Sequence, residues 1–310
     1  MSALSRPEFH SEEAAFAHLE KIVWAGEPVC PHCGALDRLT KVTANPEKRI
    51  RLGLWRCGHC RGQFTVKVGT VFEHMRLPLN KALQAVYLMT TSKKDISSHQ
   101  LHRLLGVTYK TAWFLAHRIR EAMRSGDLAL PFGSGGTEVE VDETYIGRKA
   151  GVPKKHGYQH KLGVLALVDR DSGTMRTFTF DKFGAADIYP VVRANVAREA
   201  RLMTDEARVY VTLGREFAEH GTTHHKTKQY VDFNDRTIHT NTVEGAFSIF
   251  KRGMKGVYQH CGEQHLHRYL AEFEFRYNFR IANGVDDRQR SREALAGIAG
   301  KRLTYVAAGQ

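Results

Sequence analysis

Four of the chain's five cysteines come as two tight pairs, Cys30-Pro-His-Cys33 and Cys57-Gly-His-Cys60. Each pair can present two thiolates from one turn, and two such turns complete a tetrahedral all-sulfur site of the kind that suits Zn²⁺. Four cysteines leave no open position on the metal, so such a site is structural. The chain between Cys33 and Cys57 must then fold back on itself, which predicts a zinc ribbon. The first twenty residues carry Glu12, Glu13 and Glu20 and no long apolar core, so they do not read as a secretory signal; paired cysteines then point to metal and not to disulfides. His32 and His59 lie inside the knuckles and are not needed as ligands. Cys261 stands alone and reads as an ordinary free thiol.

Charge narrows the partner. Over 310 residues, 46 Lys and Arg face 33 Asp and Glu, a net charge of +13. A polyanion is the natural complement, and nucleic acid is the commonest one. Hydrophobic residues at 42% and charged residues at 25% are ordinary for a globular protein, which argues against wholesale disorder. No uncharged apolar run approaches the ~18 residues that a membrane-spanning helix needs. A cytoplasmic, nucleoid-associated protein is expected.

The chain divides by pattern into four stretches. Residues 1–75 read as an N-terminal helix (Phe16, Leu19, Ile22 and Val23 at helical spacing) followed by the ribbon, with strands at 49–56 and 64–68 flanking the second knuckle. Residues 76–125 read as three helices, the second and third joined by Gly106-Val-Thr108, a helix-turn-helix pattern. Arg103, Lys110, His117, Arg118 and Arg120 decorate those two helices. They are candidate DNA contacts, or else the solvated face of a helical connector. A Gly-rich stretch at 126–136 marks a boundary. Residues 137–284 alternate strands (137–142, 162–169, 175–180, 201–203) with helices (185–200, 209–219, 241–251, 264–279), an α/β domain. Residues 285–310 read as a polar tail with a short helix near 291–299.

Three carboxylates in the α/β stretch form a constellation. Asp142 ends a strand, on the face opposite Val141; Asp205 ends a shorter one; Glu244 lies at the start of a helix that carries Lys251 two turns on. Converging carboxylates repel unless cations sit between them, and oxygen-only donors suit Mg²⁺ or Mn²⁺. Two such ions about 3.5–4 Å apart would activate an attacking oxygen and stabilise a leaving one. Each residue also has a plain reading: Asp142 as a strand-end turn, Asp205 as a helix cap, and Asn241 with Glu244 as a capping box. The aromatic run Tyr269, Phe273, Phe275, Tyr277 and Phe279 is expected to pack against the sheet. His220, His224, His225 and His239 read as loop histidines.

These residues together resemble a known family. Cys30-Pro-His-Cys33, Cys57-Gly-His-Cys60, Gly69-Thr-Val-Phe72, Val141-Asp-Glu-Thr-Tyr-Ile-Gly147, Thr204-Asp205 and Asn241-Thr-Val-Glu244 with Lys251-Arg252 are similar to bacterial insertion-sequence transposases of the DDE type, in the ISXO-like branch, over about residues 25–282. The resemblance implies an RNase H-like catalytic domain with Asp142, Asp205 and Glu244 as ligands of two Mg²⁺ (or Mn²⁺) ions, and Asn241 close enough to share the third position. It implies Lys251 as the basic residue one helix face beyond the glutamate, and Arg252 beside it on the DNA backbone. It further implies cleavage and strand transfer at terminal inverted repeats, by at least a dimer on DNA. A zinc-ribbon regulator with an inactive nuclease-like domain, or a nuclease that cuts without joining, are the alternative readings.

Overall fold

A computed structural model describes residues 3–124, 130–154 and 156–304. In chain order the elements of the first part are α1 (Glu12–Val23), β1 (Leu39–Lys41), β2 (Trp55–Cys57), β3 (Gln63–Phe64), α2 (Leu79–Thr91), α3 (Ser98–Leu105) and α4 (Tyr109–Ala122). There follow β4 (Glu138–Ile146), β5 (Leu162–Asp169), β6 (Thr174–Phe180), α5 (Ala185–Asn195), β7 (Arg201–Asp205), α6 (Arg208–Gly214), β8 (Glu219–Thr223), α7 (Asn241–Gly253), α8 (Leu266–Asn278) and α9 (Asp287–Ala296). They form two compact units: Met1–Arg124 with Val285–Gln310, and Ser125–Gly284.

In the first unit, the Ser11 side chain accepts the Ala14 N–H and starts α1, whose Ala15, Phe16 and Leu19 turn inward. The ribbon is a three-stranded antiparallel sheet, β1-β2-β3, much shorter than the 49–56 and 64–68 strands that alternation predicts. Its strands are cut short because Arg49, Gly53 and Arg61 adopt positive φ, which takes the chain out of the extended region. Trp55 donates its indole N–H to Glu20 of α1 at 3.0 Å, so the helix and the ribbon share a hydrogen bond. The Ser97 and Thr108 side chains cap α3 and α4, and Gly106 at φ 61 ends α3 in the left-handed conformation. The expected polar tail is part of this unit: α9 packs on α2, the Thr90 and Ser291 hydroxyls meet at 2.7 Å, and Val71 donates its N–H to the Ile298 carbonyl.

The second unit is a five-stranded sheet in the order β6-β5-β4-β7-β8. β4, β5 and β6 are an antiparallel meander; β7 and β8 add to β4 in parallel. Period-two alternation on β4 sends Val139 and Val141 to a core shared with α5 and α6, built from Leu165, Ile188, Val192, Leu202 and Tyr210. The other face carries Val164, Ala166 and Val168 under α7 and α8, where Phe247, Phe250, Tyr269 and Phe273 bury; the aromatic run packs on the sheet. β8 is a strand that the sequence pattern does not assign: the expected helix stops at Glu219, and His220 reads as a loop histidine. Its Glu219-His-Gly-Thr-Thr has no apolar alternation because it lies at the sheet edge, and Gly221 is needed there: a Cβ would sit 2.6 Å from the Met203 sulfur. The Gly-rich boundary lies partly outside the described residues. Its described part belongs to the second unit, with Phe132 buried and Gly133 at φ 75, where a Cβ would meet Ala200 at 2.3 Å.

Candidate functional site

The four cysteines of the ribbon converge. Their thiols all lie within 4.8 Å of one another, with Cys30–Cys60 at 3.7 Å and Cys33–Cys57 at 3.6 Å. A tetrahedral Zn–S₄ centre with bonds of about 2.3 Å requires sulfurs about 3.8 Å apart, so the thiols already stand at the spacing of the filled site. Backbone N–H groups of Cys60, and then His59, draw the Cys57 thiol down, while, against the Ala35 N–H, burial and the other three thiols push Cys33 up, so the first negative charge of the set falls on Cys57. His59 pairs with Asp37 at 2.8 Å, outside the sulfur set. This is a structural zinc site.

The carboxylates come together differently. β4 and β7 pair in parallel as far as Glu140 opposite Met203; just beyond that pair Asp142 and Asp205 follow on the two strands, close enough for the charge of one to act on the other. A groove of about 620 Å³ is lined by Asp142, Glu143, Glu244, Lys251, Arg252 and Lys255, among others. Burial, then the charges of Glu143, Asp205 and Glu244, hold the Asp142 carboxyl well above the usual carboxylate range, although it accepts the Glu143 N–H at 2.8 Å. Asp205 is raised by burial too, against the Ala207 N–H that it accepts at 2.9 Å. The Asp205 bond to Ala207 closes a turn ahead of α6, whose own N-cap has no side-chain bond, so Asp205 is not a helix cap. Glu143, which the sequence reading did not single out, lines the same groove; it accepts the Tyr210 hydroxyl at 2.8 Å, and burial raises it to about 7. Among the described residues the cysteines alone form a set of three or more ligand atoms within 4.8 Å; the carboxylates face one site without closing on it.

Around Glu244 the capping box does not form. α7 begins at Asn241, with Thr240 as its N-cap. The Thr240 hydroxyl donates to the Glu244 carboxylate at 2.9 Å, and Asn241 is exposed. His225 Nε2 stands 3.2 Å from the same carboxylate. Three of the four histidines expected in loops are therefore engaged: His225 with Glu244, His220 with the Thr204 hydroxyl at 2.9 Å, and His239 with Glu140 at 3.2 Å. Nothing in their spacing signals this, because the partners come from other strands.

On the helical region the structure corrects the reading of α4. Arg120 is 0% exposed and Arg118 8%; Arg118 donates to the Glu73 carbonyl and stacks over Phe114. Both side chains are enclosed by protein, so neither is the surface DNA contact that the sequence suggests. His117 is also buried. The exposed part of the helix-turn-helix is Arg103 on α3 and Tyr109, Lys110 and Thr111 in the first turn of α4.

Residues 134–278 match the ISXO2-like transposase domain, and residues 10–63 match the transposase zinc-ribbon domain. The uncharacterized protein in transposable element ISH50 of Halobacterium salinarum is 28% identical to this chain over 295 residues, covering 86% of this chain and 91% of that protein. The cryo-EM structure of the simian T-cell lymphotropic virus intasome with PP2A regulatory subunit B56 gamma is similar over 74% of this chain and 76% of that one, at 13% identity and a TM-score of 0.32, too low for a fold assignment. Among the described residues no helix is long and apolar enough to cross a membrane.

Proposed function

The chain belongs to the ISXO2-like transposase family, and we propose that it cleaves and joins DNA strands at the terminal inverted repeats of an insertion sequence, with Asp142, Asp205 and Glu244 as the catalytic carboxylates. The observation that carries this reading is the groove that Asp142 and Glu244 of α7 line together with Lys251, Arg252 and Lys255, with Asp205 of the neighbouring parallel strand close enough for its charge to act on Asp142. The strand order β6-β5-β4-β7-β8, with a meander of three and two parallel strands, supports an RNase H-like domain.

The donor set fits divalent metal. All three ligands are oxygens, and a buried Asp142 pushed up by three neighbouring carboxylates is a site short of positive charge. Bound Mg²⁺ or Mn²⁺ would supply Lewis acidity to the attacking and leaving oxygens of the phosphodiester. The chain's own part is positioning and charge. Asp142 and Asp205 are fixed by backbone N–H donors, and Thr240 and His225 hold Glu244. Lys251 and Arg252 neutralise the phosphate backbone along the groove. The zinc ribbon and the first turn of α4, with Arg103 and Lys110, grip the ends of the element in the cytoplasm, and joining two ends calls for at least a dimer on DNA.

The test is incubation of the full chain with Mg²⁺ and DNA carrying the inverted repeats that flank its gene, scoring nicks and joined products. Joined products that fall about 10³-fold or more in Asp142→Asn and Asp205→Asn are expected, since metal supplies several kcal/mol of transition-state stabilisation. Nicks without joining would favour a nuclease, and binding without cleavage a regulator.

A further inference from the structure

Two residues before Asp142 on β4, Glu140 is a carboxylate with no exposure at all. Burying an ion is expensive unless every lone pair is engaged. Both Glu140 oxygens are engaged, by Val243 inside α7, by His239 on the run that leads into α7, and by Arg170 just after β5. One oxygen accepts the Val243 backbone N–H at 2.8 Å. The other accepts Arg170 Nε at 2.6 Å and stands 3.2 Å from His239 Nδ1. Arg170 in turn donates to the carbonyls of Thr237 and His239, at 2.5 and 2.7 Å, on the run that leads into α7.

Val243 is the third residue of α7, and its N–H is one of the donors that a helix leaves without an internal partner. An N-cap side chain ordinarily takes that donor. Here the N-cap, Thr240, spends its hydroxyl on Glu244, so the vacancy is filled from the sheet. A carboxylate at a helix N-terminus is also favoured by the helix dipole. Glu140 and Asp142 share one face of one strand, and the Val243 amide adjoins Glu244 in sequence. A single side chain therefore sets the distance between the first and third carboxylates of the site.

We propose that Glu140, braced by Arg170 and His239, is a positioning residue that caps α7 from the sheet and fixes Glu244 over Asp142 for divalent-metal binding. This rests on the reading of Asp142, Asp205 and Glu244 as the metal ligands. Partners of this kind typically change metal affinity or activity 10–100-fold when altered.

Glu140→Asp tests it, because the shorter side chain keeps the charge beside Arg170 and withdraws from Val243. In the zinc-loaded full chain without DNA, Mn²⁺ binding read by electron paramagnetic resonance should weaken at least about tenfold, and the Val243 amide should exchange its hydrogen faster. Glu140→Gln keeps an acceptor for Val243 and leaves Arg170 on the Thr237 and His239 carbonyls, so it should recover most of the Mn²⁺ affinity that Glu140→Asp loses, which a role in charge alone would not allow. Native Mn²⁺ affinity in a folded Glu140→Asp would overturn the proposal. So would a folded Glu140→Gln that protects the Val243 amide yet loses Mn²⁺; this decides the matter if Glu140→Asp fails to fold. Asp142→Asn runs alongside: if it binds Mn²⁺ like the parent, the assignment of the ligands has failed and not the role of Glu140.

Discussion

The ribbon's thiols form a zinc site and the carboxylate groove is proposed to take divalent metal, and the chain prepares the two in opposite ways. The four thiols stand 3.6–3.7 Å apart across the ribbon, within 4.8 Å of one another as a set, at the spacing a filled zinc site needs. The charges of Asp205 and Glu244 act on Asp142 without the three closing to that distance. The chemistry explains the contrast. Thiols shed protons as metal binds, so four can pack together around the one acidified Cys57, whereas carboxylates crowded into one site repel at close range. A closed shell suits a part whose task is to hold a fold. A shell kept apart by its own charge suits one that must admit metal and phosphate together.

If the two sites are independent designs, they should fail independently. The largest effect is expected at the ribbon. Cys57→Ser should release zinc and melt the ribbon, because the binding energy of a structural zinc is folding energy on the scale of about 10 kcal/mol. Zinc content and circular dichroism would read this, while Mn²⁺ affinity at the carboxylates should stay within about twofold; a parallel loss of Mn²⁺ would break the comparison. Lys251→Ala comes next. Removing one donor to the charge that develops on phosphate should slow cleavage about 10²-fold, with zinc content untouched. The smallest effects separate exposed from buried cations on the helical region. Lys110→Ala should reduce the salt dependence of DNA affinity by about one counterion. Arg120→Ala should lower the melting temperature and leave that slope unchanged, since its guanidinium is enclosed.

The two sites also differ in how legible they are from sequence. The zinc shell is written locally, as two CxxC turns whose spacing carries the geometry, so all four ligands can be named from the chain alone. The carboxylates sit on β4, β7 and α7, and only the pairing of β4 with β7 brings Asp142 and Asp205 close. Motif resemblance singles out those residues, whereas the strand-end reading of Asp142 fails: β4 runs on to Ile146, and Asp142 pairs with Ala166 in its middle. Neither reveals what surrounds them. His225, His239 and Glu140 act through partners far along the chain, and a lone histidine or a glutamate in an alternating strand has no local signature. The same limit hid the burial of Arg118 and Arg120: α4 is packed on enough sides that its basic residues fall inward, which helical periodicity by itself does not reveal. β8 escaped because edge strands need no apolar alternation. The C-terminal segment looked like a tail because its mean character is polar, although Ala294, Leu295 and Ile298 bury against the first unit.

The most direct measurement is a calorimetric Mn²⁺ titration of the zinc-loaded full chain, with zinc quantified in the same sample, for the parent and for Asp142→Asn and Asp205→Asn. The account predicts two Mn²⁺ bound by the parent, loss of at least one in each variant, and an unchanged single zinc in all three. Equal Mn²⁺ binding by the parent and both variants would contradict it.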